Sequence, residues 1–176
     1  GQLRESVGPQ AGEDPVVHHL SVLSDKTGSL IAAAGRYGAM MSGVDSVTTD
    51  AIAKFGECVG VLFQLSDDLL DIESEVSGKT PGTDLREGIK TLPALLALSD
   101  PQTSDELRDL LSRPLPNDAE HELALRLLRN HSAMDHAREV QRDWANQARK
   151  QLHELPDVPA RMALNVLIDT VMDRKA

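Results

Sequence analysis

With 176 residues the chain is long enough to bury one hydrophobic core, and 40% of it is apolar while only 2% is aromatic. That core must be built from Leu, Ala, Val, Ile and Met, a composition suited to helices more than to sheets. A formal net charge of −10 argues against nucleic acid or an anionic membrane surface as the main partner, and the lone Cys58 leaves no disulfide framework and no thiolate metal site, which fits a reducing cytoplasmic setting.

Taken in chain order, Gly1-Gln2-Leu3-Arg4-Glu5-Ser6 reads as the tail of a helix already under way. After the turn from Gly8-Pro9 to Asp14-Pro15, one helix is expected from about Val16 to Met41. Its small-residue run Ala32-Ala33-Ala34-Gly35 allows close helix packing, Met40-Met41 reads as core, and Ser42-Gly43 breaks it. A long helix follows from about Thr48 to Ser74, with Thr48 or Thr49 as its cap. Val76 to Gly88 is too rich in Gly, Pro and Thr to be helical and is expected to be a functional loop. Thr91 to Leu98 forms a short apolar helix with Pro93 in its first turn. Thr103 or Ser104 opens the next, and Arg113 to Asn117 is a linker. Helices at about Ala119 to Asn130 and Met134 to Glu154 precede a turn at Pro156 to Pro159 and a final amphipathic helix. No strand pattern, internal repeat, signal peptide or bilayer-spanning stretch is visible, so residues 1–176 read as a single all-α domain.

The feature with chemistry in it is Gln64-x-x-Asp67-Asp68-x-x-Asp71. At about 100° per residue these side chains share one helical stripe, with Leu62, Leu65, Leu69 and Ile72 on one side and Phe63 and Leu70 on the other. An acidic seam on an otherwise apolar helix crowds carboxylates away from water, and such a group needs a cation. Oxygen ligands select a hard divalent ion such as Mg²⁺. Gln64, one turn ahead of Asp67, can orient a carboxylate or a metal-bound water. A solvated helical face is the ordinary reading of such acids, and the flanking apolar residues weigh against it.

Gly78-Lys79-x-x-Gly82-x-Asp84 comes next and runs on to Gly88-Ile89-Lys90-Thr91. Glycines let backbone approach a ligand and lysines supply charge for phosphate, although the spacing is not that of a Walker A loop. Lys26-Thr27-Gly28 lies inside the first long helix, where such a pair is ordinarily surface. Adjacent His18-His19 diverge on a helix and make a poor metal pair. His121, His131, His136 and His153 show no ligand spacing, Cys58 reads as core, and Trp144 is expected to pack between the late helices.

The string Phe63-Gln64-x-x-Asp67-Asp68-x-x-Asp71, then Gly78-Lys79-x-x-Gly82-x-Asp84 and Thr91-Leu92-Pro93, resembles the second aspartate-rich motif of the trans-polyprenyl diphosphate synthases. Lys26-Thr27 resembles the Lys-Thr pair upstream of it in that family. The resemblance implies a helical bundle around a central cavity. It implies Mg²⁺-dependent, head-to-tail condensation of an allylic diphosphate with isopentenyl diphosphate, giving a medium- or long-chain product, and it implies a homodimer. On this reading Asp67 ligates Mg²⁺ directly, and Asp68 and Asp71 hold its waters. Lys26, Lys79 and Lys90 contact diphosphate, while Thr27 and Gln64 steady developing positive charge.

Two departures accompany the resemblance. Ile89 stands where the family carries a lysine, with Lys90 one place later, and Glu5 stands where it often has Gln. The first aspartate-rich motif is absent from these 176 residues. The chain therefore looks like the C-terminal half of a synthase, inactive alone and completed by its N-terminal half or a partner chain. The alternative is a non-catalytic or regulatory subunit of a heteromeric synthase, against which the nearly intact motif stands. A terpene cyclase is disfavoured by the scarcity of aromatics.

Overall fold

The computed structural model describes residues 1–73 and 81–174, apart from the side chain of Gln2, and every regular element among them is helical. Helices α1 (Gln2–Val7) and α2 (Pro15–Leu23) lead through a π-helical turn at Ser24–Gly28 into α3 (Ser29–Ser42) and the long α4 (Ser46–Glu73). The later elements are α5 (Thr83–Glu87), α6 (Leu92–Ser99), α7 (Asp105–Ser112), α8 (Asp118–Arg129), α9 (Ala133–His153) and α10 (Pro159–Met172). The described residues group into two compact units, Gly1–Ser66 with Gln141–Arg174, and Asp67–Val140. None of these helices is long and apolar enough to cross a membrane.

Helix starts follow side-chain chemistry. The Asp14 carboxylate accepts from the amides of Val16 at 2.7 Å and Val17 at 3.1 Å, and Pro15 presets the first helical φ. The helix expected from Val16 to Met41 runs helically from Pro15 to Ser42, with a π turn inserted where Lys26 and Thr27 lie. One inserted residue rotates the apolar pattern without erasing it, so periodicity alone cannot see the bulge. Neither Thr48 nor Thr49 caps α4. Asp45 does, accepting from the Thr48 amide at 2.7 Å, and that bond holds its carboxyl below the usual range. Thr49 turns its hydroxyl back to the Asp45 carbonyl at 2.8 Å.

In the first unit, α4 meets the π turn and α3 backbone to backbone. A Cβ on Gly60 would lie 2.7 Å from the Gly28 Cα, and one on Gly56 2.8 Å from the Ile31 carbonyl oxygen. Gly35, at the end of the small-residue run, lies against Ile52. The core gathers Phe55, Cys58 and Leu62 of α4, Ala148 and Leu152 of α9, and Ile168 of α10, with Trp144 packed beside them. Each fully buried leucine contributes about 2 kcal/mol of apolar transfer. Burial pushes the Cys58 thiol up to about 11, which makes it an inert core group. Met40 and Met41, expected in the core, are exposed on α3.

The second unit buries Leu92, Ala94, Leu95 and Ala97 of α6 with Leu107, Leu110 and Leu111 of α7, and Ala124, Leu125 and Leu128 of α8. Ser104 caps α7 and Asn117 caps α8 through their side chains. Within the stretch read as a loop from 76 to 88, residues Thr83–Glu87 are helical, bounded by left-handed Gly82 (φ 69°) and Gly88 (φ 76°).

Candidate active site

The last turns of α4 divide as the sequence pattern requires. Leu62, Leu65, Leu69 and Ile72 are buried, whereas Gln64, Asp67, Leu70 and Asp71 are half-buried. Asp68 is itself buried, only 8% exposed, and its Oδ2 accepts from the Leu92 amide at 3.2 Å. It thereby does the capping of α6 that Thr91, the residue in cap position, does not. Thr91 Oγ1 is buried and without a hydrogen-bond partner, an arrangement that is costly unless a partner arrives with a ligand or a water.

Asp71 organises the turn that follows. Its Oδ1 accepts from the Thr83 amide at 3.1 Å, its Oδ2 from the Asp84 amide at 3.2 Å, and its carbonyl from the Gly82 amide at 2.7 Å. Three consecutive amides at the start of α5 thus converge on one aspartate. The two carboxylate oxygens each keep lone-pair capacity beyond these bonds.

Asp84, carried on α5, completes an acid cluster. Burial first, then the charges of Asp71, Asp68, Glu87 and Asp67, push its carboxyl up to about 6. Asp71 is also raised, by burial foremost and by Asp68, against the opposing pull of the Asp84 and Thr83 amides. These shifts belong to half-buried carboxylates that share a space. Among the described residues, no three or more Asp, Glu, His or Cys side chains are gathered so as to hold a metal ion by themselves.

Behind the cluster sits His121, 2% exposed on α8. Arg86, which can only donate, reaches its Nδ1 at 3.3 Å, so Nδ1 accepts and the proton is on Nε2. That Nε2–H donates to the Gly82 carbonyl at 2.8 Å. Arg86 is held in turn by Asp118 at 2.8 Å. Gly82 admits no side chain, because a Cβ there would lie 2.7 Å from Leu125 Cδ2 and 2.8 Å from His121 Nε2.

Lys26 is exposed in the first unit and paired with both oxygens of Glu5, at 2.9 and 3.0 Å. Thr27 is half-buried in the middle of the π turn. Lys90 is exposed between α5 and α6. Ile89, where the resemblance expects a lysine, closes α5 by donating its amide to the Asp84 carbonyl at 2.8 Å, beside the Gly88 amide on Leu85. Gly78 and Lys79 lie outside the described residues. Asp84 and His121 received no role from the sequence. The Gly82-x-Asp84 spacing held the signal for the first, since a left-handed glycine directs the chain straight back onto α4. Nothing in the spacing of the histidines pointed to the second.

The long α4 thus carries the acids, and its Asp68 and Asp71 bond the first amides of α6 and α5. The polyprenyl synthetase family matches residues 1–128, and the chain belongs to that family. It is 47% identical over 178 residues to a nonaprenyl diphosphate synthase of Mycobacterium tuberculosis, covering 99% of this chain and 53% of that one. It is 41% identical to a dimethylallyltranstransferase of the same organism, covering 96% of this chain and 52% of the relative. Among solved structures, the geranylgeranyl pyrophosphate synthase of Corynebacterium glutamicum, complexed with calcium and isoprenyl diphosphate, superposes with a TM-score of 0.90 at 39% identity. That match covers 98% of this chain and 55% of the other. The chain spans about half the length of the curated relatives it matches.

Proposed function

We propose that this chain supplies the second metal-and-diphosphate motif of a prenyltransferase that joins an allylic diphosphate to isopentenyl diphosphate. The observation that carries the reading is the gathering of acids at the end of α4, where Asp71 accepts the Thr83 and Asp84 amides at 3.1 and 3.2 Å and Asp84 is pushed up to about 6 by burial and by its aspartate neighbours. The donor set is all oxygen, which suits a hard ion such as Mg²⁺, and since no group of three or more acid, His or Cys side chains among the described residues is gathered to hold a metal alone, water and substrate phosphate would supply the remaining ligands.

Bound Mg²⁺ would neutralise a diphosphate leaving group and so ease ionisation of the allylic C–O bond. The chain's own residues then have distinct work. Asp67 would hold the ion directly, and Asp68 and Asp71, whose carboxylates are oriented by the amides of Leu92, Thr83 and Asp84, would hold its waters. Lys26, Lys79 and Lys90 contact diphosphate oxygens as point charges, with Lys26 leaving Glu5 to do so. Thr27 and Gln64 turn oxygens toward developing positive charge. The 47% identical nonaprenyl diphosphate synthase supports a medium- or long-chain product.

The first aspartate-rich motif would come from an N-terminal half or a partner chain, the assembly being a homodimer, and this chain would not turn over alone. The test is calorimetric titration of inorganic pyrophosphate into the chain with and without Mg²⁺. Binding that needs the metal and is lost in Asp67→Ala supports the reading. Binding indifferent to both overturns it.

A further inference from the structure

The acid cluster depends on a turn, and the turn depends on a histidine on another helix. The Gly82 carbonyl accepts both the Arg86 amide of α5 at 3.0 Å and His121 Nε2–H at 2.8 Å. The amide of the same Gly82 donates to the Asp71 carbonyl, and the next two amides donate to the Asp71 carboxylate. The ring cannot swivel, because its other nitrogen accepts from Arg86, which Asp118 holds. Nor can the turn slide past it, since Gly82 already packs against His121 and Leu125 with no room for a Cβ.

We infer that His121 is a positioning residue for the acid cluster: it clamps Gly82 so that the Thr83 and Asp84 amides stay on Asp71 and both carboxylates keep one orientation. The inference rests on the proposed function for its purpose but not for its geometry. His121 touches no substrate in this scheme. It acts through a carbonyl and two amides, so a side chain that keeps the donor and the acceptor should replace it. Gln does so, with its amide N–H toward Gly82 and its carbonyl toward Arg86, whereas Leu fills the space and does neither.

The experiment compares the 176-residue chain with His121→Leu, His121→Gln and Leu128→Ala, the last weakening the packing of the same helix at a fully buried position. Amide hydrogen exchange at Thr83 and Asp84 is read first, and Mg²⁺-dependent binding of inorganic pyrophosphate second. His121→Leu should lose about tenfold in protection at both amides and about tenfold in pyrophosphate affinity, the scale set by one buried hydrogen bond and its partner. His121→Gln should restore both, and Leu128→Ala should lower the melting temperature while sparing both. Unchanged amide protection in His121→Leu would overturn the clamp, as would failure of Gln to rescue or equal losses in Leu128→Ala. Protection lost with affinity intact would overturn its role in positioning the site. A wild-type chain that binds no Mg²⁺-pyrophosphate would overturn the parent reading and the clamp's purpose, while the amide arm still decides the geometry.

Discussion

Asp71 holds Asp84 by its own backbone: Oδ2 of the first accepts from the amide of the second at 3.2 Å, and this puts two carboxylates side by side at the start of α5. The chain thus uses one acid to fold the turn that delivers another. The stabilising amide bonds and the destabilising charge crowding arise from the same contact.

That crowding makes stability depend on pH with a definite sign. Asp84 is pushed up to about 6 in the folded chain from its ordinary 3.8, so between those values the folded state holds more protons than the unfolded one. Its contribution is greatest below about 4 and declines as pH rises through about 6. Asp84→Asn should therefore be more stable than wild type by ~1 kcal/mol at pH 7, after discounting for solvent screening, and indistinguishable near pH 4. Denaturant midpoints for the pair across this range check it. A gap that widens toward acid would contradict the assignment.

Two glycine-to-alanine changes should have opposite signs. Gly60 meets the Gly28 backbone at a distance no Cβ can occupy, and Gly60→Ala should cost about 2 kcal/mol despite the better helix propensity of alanine. Gly38 on α3 has open space around it, so Gly38→Ala should gain about 0.5–1 kcal/mol. Urea unfolding of both variants decides the matter.

Lys26 enters any phosphate contact from its pair with Glu5, in which both side chains are partly exposed. An exposed pair of this kind is weak, so Glu5→Gln should tighten Mg²⁺-pyrophosphate binding by only about two- to threefold. The gain should shrink in high salt. A loss of affinity instead would show that Glu5 supports the site.

Much of the architecture was legible because buried helical faces repeat on the helical period. The Leu62, Leu65, Leu69, Ile72 side of α4 and the apolar α6 came out as read. What was hidden had no periodic signature. The π turn leaves the pattern intact on both flanks, and α5 is a single turn inside a stretch whose Gly, Pro and Thr content speaks for a loop. Asp45 won the cap of α4 over two threonines because it lies where its carboxylate can reach the Thr48 amide. Asp67, Asp68 and Asp71 could be named from spacing alone, but Asp84 joins them only through the left-handed turn at Gly82, and His121 only through α8 folding back onto that turn.

The central claim is that the acid cluster is built to hold Mg²⁺ against a diphosphate, and calorimetry of pyrophosphate binding with and without Mg²⁺, on wild type and Asp67→Ala, tests it most directly. The account predicts binding that appears only with Mg²⁺ and weakens at least about tenfold in Asp67→Ala, the loss of one charge-assisted ligand. Pyrophosphate binding of equal strength in the absence of Mg²⁺ or of the Asp67 carboxylate would contradict it.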